Sequence, residues 1–146
     1  MIFIMRKINT ISRCGIIYRG DKLEAEIIKP NHHGYAICVF KNPGISQEEI
    51  SEKLCINKSN VTRALDAMEA KGFIFRETNP NDKRSLKVYP TDKLNGLMPK
   101  ILKLAKEWNN YLTECISEEE LEVFQKVLGK ITDRAHLYME SRSLQK

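Results

Sequence analysis

Several features that would place a protein in a familiar class are missing from this 146-residue chain. No apolar run approaches the roughly 20 residues needed to span a bilayer, and no cationic segment precedes an apolar stretch as in a signal peptide. The four cysteines are far apart and include no C-x-x-C pair, which argues against a zinc knuckle or a disulfide scaffold. These absences predict a cytoplasmic protein that has no membrane partner.

The groups that catalysis or metal binding would require are also missing. The chain has no glycine-rich phosphate loop, no nucleophile elbow, and no cluster of His, Asp and Glu at ligand spacing. His32 and His33 are adjacent, so on a helix they point about 100° apart and do not easily share a metal. We therefore expect no enzymatic activity, no cofactor and no metal site.

The net charge is modest, and its placement is more informative than its size. Lys and Arg number 24 against 19 Asp and Glu, a net charge of +5. Residues 1–30 carry six basic and three acidic side chains and residues 31–90 carry nine and seven, whereas residues 91–146 carry nine of each. An anion-binding surface is therefore expected before residue 91.

Apolar periodicity and helix breakers predict a mainly α-helical chain. The first helix is expected from Ile4 to about Ile28, and the second from about Asn31 to Lys41, before Asn42-Pro43-Gly44. A long helix is expected from Thr91 to about Cys115, and a last helix from Ser117 to about Met139.

Residues 46–66 have the spacing of a helix-turn-helix. Ser46 and Glu49 form the capping-box pattern of a short first helix, and Asn57 is a good N-cap for a second helix that ends before Gly72. The start of the second helix carries side chains suited to bases and phosphates. They are Lys58, Ser59, Asn60, Thr62 and Arg63.

Two runs of strand-forming residues follow the second helix, at 73–77 and 85–89. The polar segment 79–83 separates them, which predicts a hairpin. Lys83 and Arg84 lie at its tip, and a cationic ribbon of this kind fits the narrow minor groove of DNA. A helix-turn-helix followed by such a hairpin is a winged helix.

The segment from Ser46 to Thr91 resembles the MarR family of transcriptional regulators. The residues that carry the resemblance are Ser46-Gln47-Glu48-Glu49-Ile50, Lys58-Ser59-Asn60-Val61-Thr62-Arg63, Leu65, Met68, Glu69, Lys71-Gly72-Phe73-Ile74, Asp82-Lys83-Arg84 and Pro90-Thr91. Two positions depart from the family pattern: Cys55 stands where the turn commonly has Gly, and Leu94 stands where Gly often follows the Thr.

The resemblance implies a mainly α fold with a small β-hairpin wing. Residues 31–90 would form the winged helix-turn-helix, and residues 1–30 and 91–146 would supply N- and C-terminal dimerisation helices. It also implies that Arg84 enters the minor groove and that Asp82 supports the wing by pairing with Arg84 or Arg63. We expect a homodimeric regulator, in our interpretation a repressor, that binds double-stranded DNA at a pseudo-palindromic operator.

The resemblance further implies a small anionic or aromatic effector, and Arg13, His33 and Tyr35 are candidate lining residues. Cys14 on the first helix is a candidate redox sensor, although a buried inert thiol is the simpler interpretation. A winged helix used to bind another protein is the alternative from a different class. The polar, basic face of the second helix favours DNA over that alternative.

Overall fold

The computed structural model describes residues 3–24 and 27–143, and most of these residues are helical. The helices are α1 (Ile4–Lys22), α2 (His33–Lys41), α3 (Gln47–Leu54), α4 (Lys58–Ala70), α5 (Asp92–Thr113) and α6 (Glu118–Ser143), and a short 3-10 helix (Pro30–His32) precedes α2. The strands are β1 (Ile45–Ser46), β2 (Ile74–Asn79) and β3 (Asp82–Pro90). The predicted mainly α class with a small wing is confirmed.

The first helix is shorter than the sequence predicts. It ends at Lys22, and Leu23 at its C-cap is extended. Leu23 and Ile28 are both 1% exposed, so both side chains are buried in the core although the helix has already ended. Tertiary burial therefore overrides the helical spacing of the apolar residues in this segment.

The wing is an antiparallel hairpin, as predicted, but its strands are longer than expected. β2 and β3 continue to Asn79 and from Asp82, so the five-residue loop predicted at 79–83 shrinks to Pro80 and Asn81. Asn79 Oδ1 accepts a hydrogen bond from the Asn81 amide at 3.1 Å, which is the way Asn commonly closes a tight turn.

The sheet has a third strand that the sequence pattern did not reveal. β1 pairs with β3 antiparallel, with Ile45 opposite Val88, so the strand order is β1-β3-β2. Gly44 donates a backbone hydrogen bond to Val88 at 2.8 Å, and its φ of +82° is in the region that favours glycine. This pairing attaches the base of the wing to the start of α3.

The chain divides into two compact units, residues 1–108 and 109–146. Within the first unit, one apolar cluster joins α2, α3, α4, the sheet and the first part of α5. Val61, Leu65 and Met68, the predicted inward positions of α4, are almost completely buried there. Leu94 is also buried completely, so a leucine is accommodated where the related pattern has glycine.

The second unit contains the end of α5 and all of α6. No described side chain of α6 is buried, and large apolar side chains on it are exposed. They include Val123, Phe124, Val127, Leu137, Tyr138 and Met139.

Candidate nucleic-acid interface

Helix α3 begins with the capping box that the sequence predicts. Ser46 Oγ accepts from the Glu49 amide at 3.1 Å, and Glu49 Oε2 accepts from the Ser46 amide at 2.8 Å. The bond from the Ser46 backbone holds the pKa of Glu49 below its ordinary value. Ile45 and Ile50 on either side of the cap are both buried, as in a hydrophobic staple. Together these contacts set the angle at which the chain enters α3.

The turn between α3 and α4 is tight and contains a strained residue. Cys55 is in the left-handed region, with φ 51° and ψ 41°, which side chains other than Gly, Asn and Asp rarely adopt. Ser51 Oγ donates to the Ile56 carbonyl at 2.6 Å, and the Ile56 amide donates to the Ser51 carbonyl at 3.1 Å. The Cys that stands where the related pattern has Gly therefore adopts the backbone conformation that a glycine would adopt more easily.

Helix α4 begins after Asn57, and its exposed first turns carry the predicted contact residues. Asn57 Oδ1 accepts hydrogen bonds from the Asn60 amide and the Ser59 hydroxyl, both at 2.9 Å. The inward face of the helix is held in the core, so its other face is left to solvent. The exposed side chains on that face are Lys58, Ser59, Asn60, Thr62 and Arg63.

Several of these side chains are held by neighbours in the same chain. Lys58 forms an ion pair with Glu48, which raises the pKa of the lysine. Arg63 Nη2 donates to Asn60 Oδ1 at 2.5 Å. Both contacts are solvent-exposed and contribute little to stability. Phosphates or base edges can therefore replace them at small cost.

The tip of the wing presents Lys83 and Arg84, both exposed. Asp82 Oδ1 accepts a hydrogen bond from the Arg84 backbone amide at 3.0 Å. The described part of the chain contains no ion pair between Asp82 and the side chain of Arg84 or Arg63, contrary to the pairing that the resemblance implied. Asp82 instead supports the wing by ordering its backbone, which leaves the Arg84 guanidinium exposed.

The base of the wing is attached to both helices of the helix-turn-helix through Arg76, a residue that sequence reasoning missed. Its guanidinium donates to Glu69 at 3.1 and 2.6 Å, to Asp66 at 2.7 Å and to Gln47 at 3.2 Å. Glu69 Oε1 also accepts from the Arg76 amide at 3.0 Å. These bonds, chiefly those to Glu69, raise the pKa of Arg76. No local spacing signal links residues 47, 66, 69 and 76.

The three candidate effector residues do not line one groove. Tyr35 lines a groove of about 480 Å³ beside α4. Neither Arg13 nor His33 lines it: Arg13 is exposed on α1, whereas His33 is 3% exposed. The residues lining that groove are Asn31, His32, Tyr35, Ile56, Asn60, Arg63 and Ala64.

His33 is a buried polar residue without a partner. Neither of its ring nitrogens has a hydrogen-bond partner in the described structure. Burial, followed by the nearby charges of Arg19 and His32, lowers the pKa of His33 to about 4. At neutral pH the imidazole is therefore uncharged.

The cysteines are free thiols: Cys38 is buried, and Cys14, Cys55 and Cys115 are exposed. Cys14 is therefore exposed in the single chain, not buried as the simpler interpretation expected, and both its inertness and its role as a redox sensor stay predictions. Within residues 3–24 and 27–143, no three or more His, Cys, Asp or Glu side chains are grouped as metal ligands would be. No helix in the same residues has the length and apolar character needed to cross a membrane.

A capped support helix, an exposed polar recognition helix and a cationic hairpin define a winged helix-turn-helix protein. Residues 37–86 match the sequence model of the MarR family. The segment that contains α3, α4 and most of the wing therefore matches the MarR family of transcriptional regulators.

Individual relatives agree with that assignment. The HTH-type transcriptional regulator BilQ of Clostridioides difficile (strain CD3) is 28% identical over 99 residues, which are 68% of this chain and 67% of that protein. A MarR transcriptional regulator from Methanosarcina mazei Go1 has a similar crystal structure, with a TM-score of 0.82 and 29% identity, covering 94% of this chain and 98% of that one.

A third similar structure is that of a Listeria monocytogenes protein assigned to the MarR family and complexed with a 26mer DNA. Its TM-score is 0.86 at 24% identity, covering 97% of this chain and 96% of that one. At this level of identity the similarity shows a shared fold.

Proposed function

We propose that the protein is a homodimeric repressor that binds a pseudo-palindromic operator through two copies of α4 and the wing. The exposed polar face at the start of α4 is the observation that carries this proposal, because the major groove admits one helix and its base edges are read by such side chains. A Listeria monocytogenes protein of the same fold is complexed with a 26mer DNA, which supports DNA as the partner proposed here.

Each predicted contact residue has a role that follows from its chemistry. Lys58 and Lys83 bind phosphates, and Asn60 and Arg63 read base edges. The hydroxyls of Ser59 and Thr62 lie on the same exposed face of α4 and complete the contact surface. Arg84 enters the minor groove, where the negative potential attracts a guanidinium.

A second copy of the chain is the partner that we propose for the exposed apolar side chains of α1 and α6. Exposed apolar surface of this extent usually marks an interface. On α6 they recur at helical spacing, as at Val123, Val127 and Phe124. On α1, Ile4, Ile11 and Ile17 are exposed in the same way. The acidic and basic residues of 91–146 are equal in number, so two copies meet there without net repulsion.

The effector that we propose is a small anionic or aromatic molecule. The groove beside α4 supports this, because Tyr35 and Ile56 offer an apolar wall and Arg63 offers a positive charge. Such a ligand relieves repression only if it binds the DNA-free arrangement more tightly than the DNA-bound one.

The test is a gel shift and footprint on the upstream region of the gene itself, combined with a mass measurement of the free protein and the complex. We expect one dimer per site and two protected half-sites about 10 base pairs apart, roughly 34 Å. A monomer at micromolar concentration, or a single asymmetric contact, would contradict the dimer. No shift above that of unrelated DNA would contradict the repressor.

A further inference from the structure

The link between Arg76, Gln47 and Thr62 carries an inference about which bases the protein selects. Asp66 and Glu69 already neutralise Arg76, whereas Gln47 is uncharged. The bond from Arg76 therefore orients the Gln47 side-chain amide and does not serve to neutralise the guanidinium. Gln47 lies at the start of α3, and its side chain reaches Thr62 on the exposed face of α4.

The guanidinium settles which way the Gln47 amide points. Arg has donors only, so the group facing Arg76 Nη1 at 3.2 Å must be the Gln47 oxygen. The amide nitrogen then faces Thr62 Oγ1, to which it donates at 3.3 Å. The orientation of an amide is ordinarily ambiguous, and here it is imposed by a neighbour that cannot accept a hydrogen bond.

The Thr62 hydroxyl is thereby left with one unused hydrogen-bonding position, a single acceptor lone pair. It has a single hydrogen, which it donates to the Lys58 carbonyl at 3.0 Å. It has two lone pairs, of which one accepts from Gln47. The remaining lone pair belongs to an exposed residue on the face of α4 that we propose contacts DNA.

We propose that Arg76, acting through Gln47, fixes the direction in which the Thr62 hydroxyl, whose hydrogen is held by the Lys58 carbonyl, accepts from a base carrying a major-groove donor. Adenine N6 and cytosine N4 are the two donors on that edge. Arg76 is a positioning residue that does not itself touch DNA. The proposal rests on the proposed function, since it presupposes that α4 lies in the major groove.

The experiment measures the preference for each base pair at every position of an operator selected by the wild-type protein from a randomised duplex library. Gln47→Met keeps the length of the side chain and removes both polar groups. Thr62→Val keeps the shape and removes the hydroxyl. Both variants avoid truncating Arg76, whose loss would leave Asp66 and Glu69 as an uncompensated acidic pair.

At one position in each half-site, we expect the wild-type preference for adenine or cytosine to fall about fivefold in either variant, as for the loss of one hydrogen bond. The double variant should lose no more than either single variant, because the two residues act through one bond. Gln47→Met, which changes no residue of the proposed contact surface, should keep the wild-type affinity for unrelated DNA, whereas a merely structural role would lower that affinity as well.

Thr132→Val is the matched control, because Thr132 donates to the Leu128 carbonyl at 3.0 Å in the same helical geometry, but on α6. It should leave every base preference intact. A base profile that changes in Thr62→Val but not in Gln47→Met overturns the proposal, and so does a profile unchanged in both. A wild-type protein that selects no sequence overturns the proposed function itself, before any variant is compared.

Discussion

Cys55 is the residue whose backbone conformation fits its side chain least well. Among residues 3–24 and 27–143 it is the only non-glycine with positive φ, at 51°. A residue with a Cβ costs about 1–2 kcal/mol in the left-handed region. A glycine avoids that strain but loses more conformational entropy on folding. The turn of the helix-turn-helix thus carries a local strain that a single substitution can remove.

Cys55→Gly should raise the free energy of unfolding by about 0.5–1 kcal/mol, the strain removed less the added chain entropy. Urea unfolding measures the change. Cys115→Gly is the matched control, since Cys115 is also exposed but has no positive φ. The control should be neutral or destabilising. An equal gain in both variants would show that the thiol, and not the backbone angle, is responsible.

His33 gives the fold a pH dependence of known sign. Its pKa is about 4 in the folded protein against an ordinary value of 6.5, so the unfolded chain binds the proton more tightly. The contribution of uncharged His33 to the free energy of unfolding is therefore at its full value above about pH 7.5. It is lost progressively as the pH falls toward 4. By linkage, His33 alone accounts for a loss of about 2 kcal/mol between pH 7.5 and 5.

His33→Leu, which is similar in volume and does not titrate, should remove that loss. Urea unfolding at pH 7.5 and 5 gives the comparison, and the difference between the variant and the wild type isolates this one group from His32. Parallel pH curves for the two proteins would mean that His33 is protonated or solvated in the folded state.

At the scale of single elements, α4 depends on its first residue. The side chain of Asn57 satisfies the Asn60 amide and holds the Ser59 hydroxyl. It therefore both stabilises the recognition helix and orients a residue on its contact face.

Asn57→Ala should cost about 1 kcal/mol of unfolding free energy, and Asn57→Ser should restore most of it, because Ser is also a good N-cap. Chemical unfolding measures stability, and far-ultraviolet circular dichroism measures helix content. If the Ala variant were as stable as the Ser variant, water would be capping the helix just as well.

The wing is the second element with a separable role. Because Asp82 binds the Arg84 backbone, removing the Arg84 side chain leaves the turn intact. Arg84→Ala should weaken binding to operator and unrelated DNA alike and reduce the salt slope by about one unit.

Binding titrations between 50 and 200 mM salt test the role of the wing. Arg134→Ala removes an exposed arginine from α6 and should leave the slope unchanged. If Arg84→Ala keeps the wild-type salt slope, Arg84 does not take part in binding DNA.

At the scale of the whole molecule, α6 is a helix whose described side chains find no buried position within one chain. Helices of this kind are stabilised mainly by packing their apolar face against another element. Phe124, which is 55% exposed, lies in the middle of the apolar side chains that we assign to the dimer.

Phe124→Glu should reduce the mass in solution from twice 16.9 kDa to that of one chain. Operator affinity should fall by about tenfold or more, because the second half-site no longer binds as part of the same particle. Light scattering and gel shift measure the two effects. Gln125→Glu adds the same charge at the next residue and should remain dimeric. A dimeric Phe124→Glu would place the interface elsewhere.

Much of the fold could be predicted because its signals are local. The capping box at Ser46, the N-cap at Asn57, the hairpin and the glycine at Gly72, whose φ is +73°, all depend on residues within a few positions of one another. Side-chain to backbone hydrogen bonds over such distances are nearly independent of the rest of the protein.

What could not be predicted depends on residues that are distant in the chain. The strand at Ile45 exists only because β3 lies beside it, α1 ends where Leu23 reaches the core, and His33 is unpartnered because the helices bury it. The role of Asp82 was misjudged because its carboxylate is closer to a backbone amide than to any guanidinium.

The sequence by itself therefore determined the order of elements, the winged helix-turn-helix and the polar character of its contact face. Only the tertiary structure decided how the side chains on that face are held. Arg76 meets Gln47, Asp66 and Glu69 across two helices and a strand. The hydrophobic periodicity of the sequence predicts which side of a helix or strand is apolar. The partner of a polar side chain depends instead on how whole elements pack against one another.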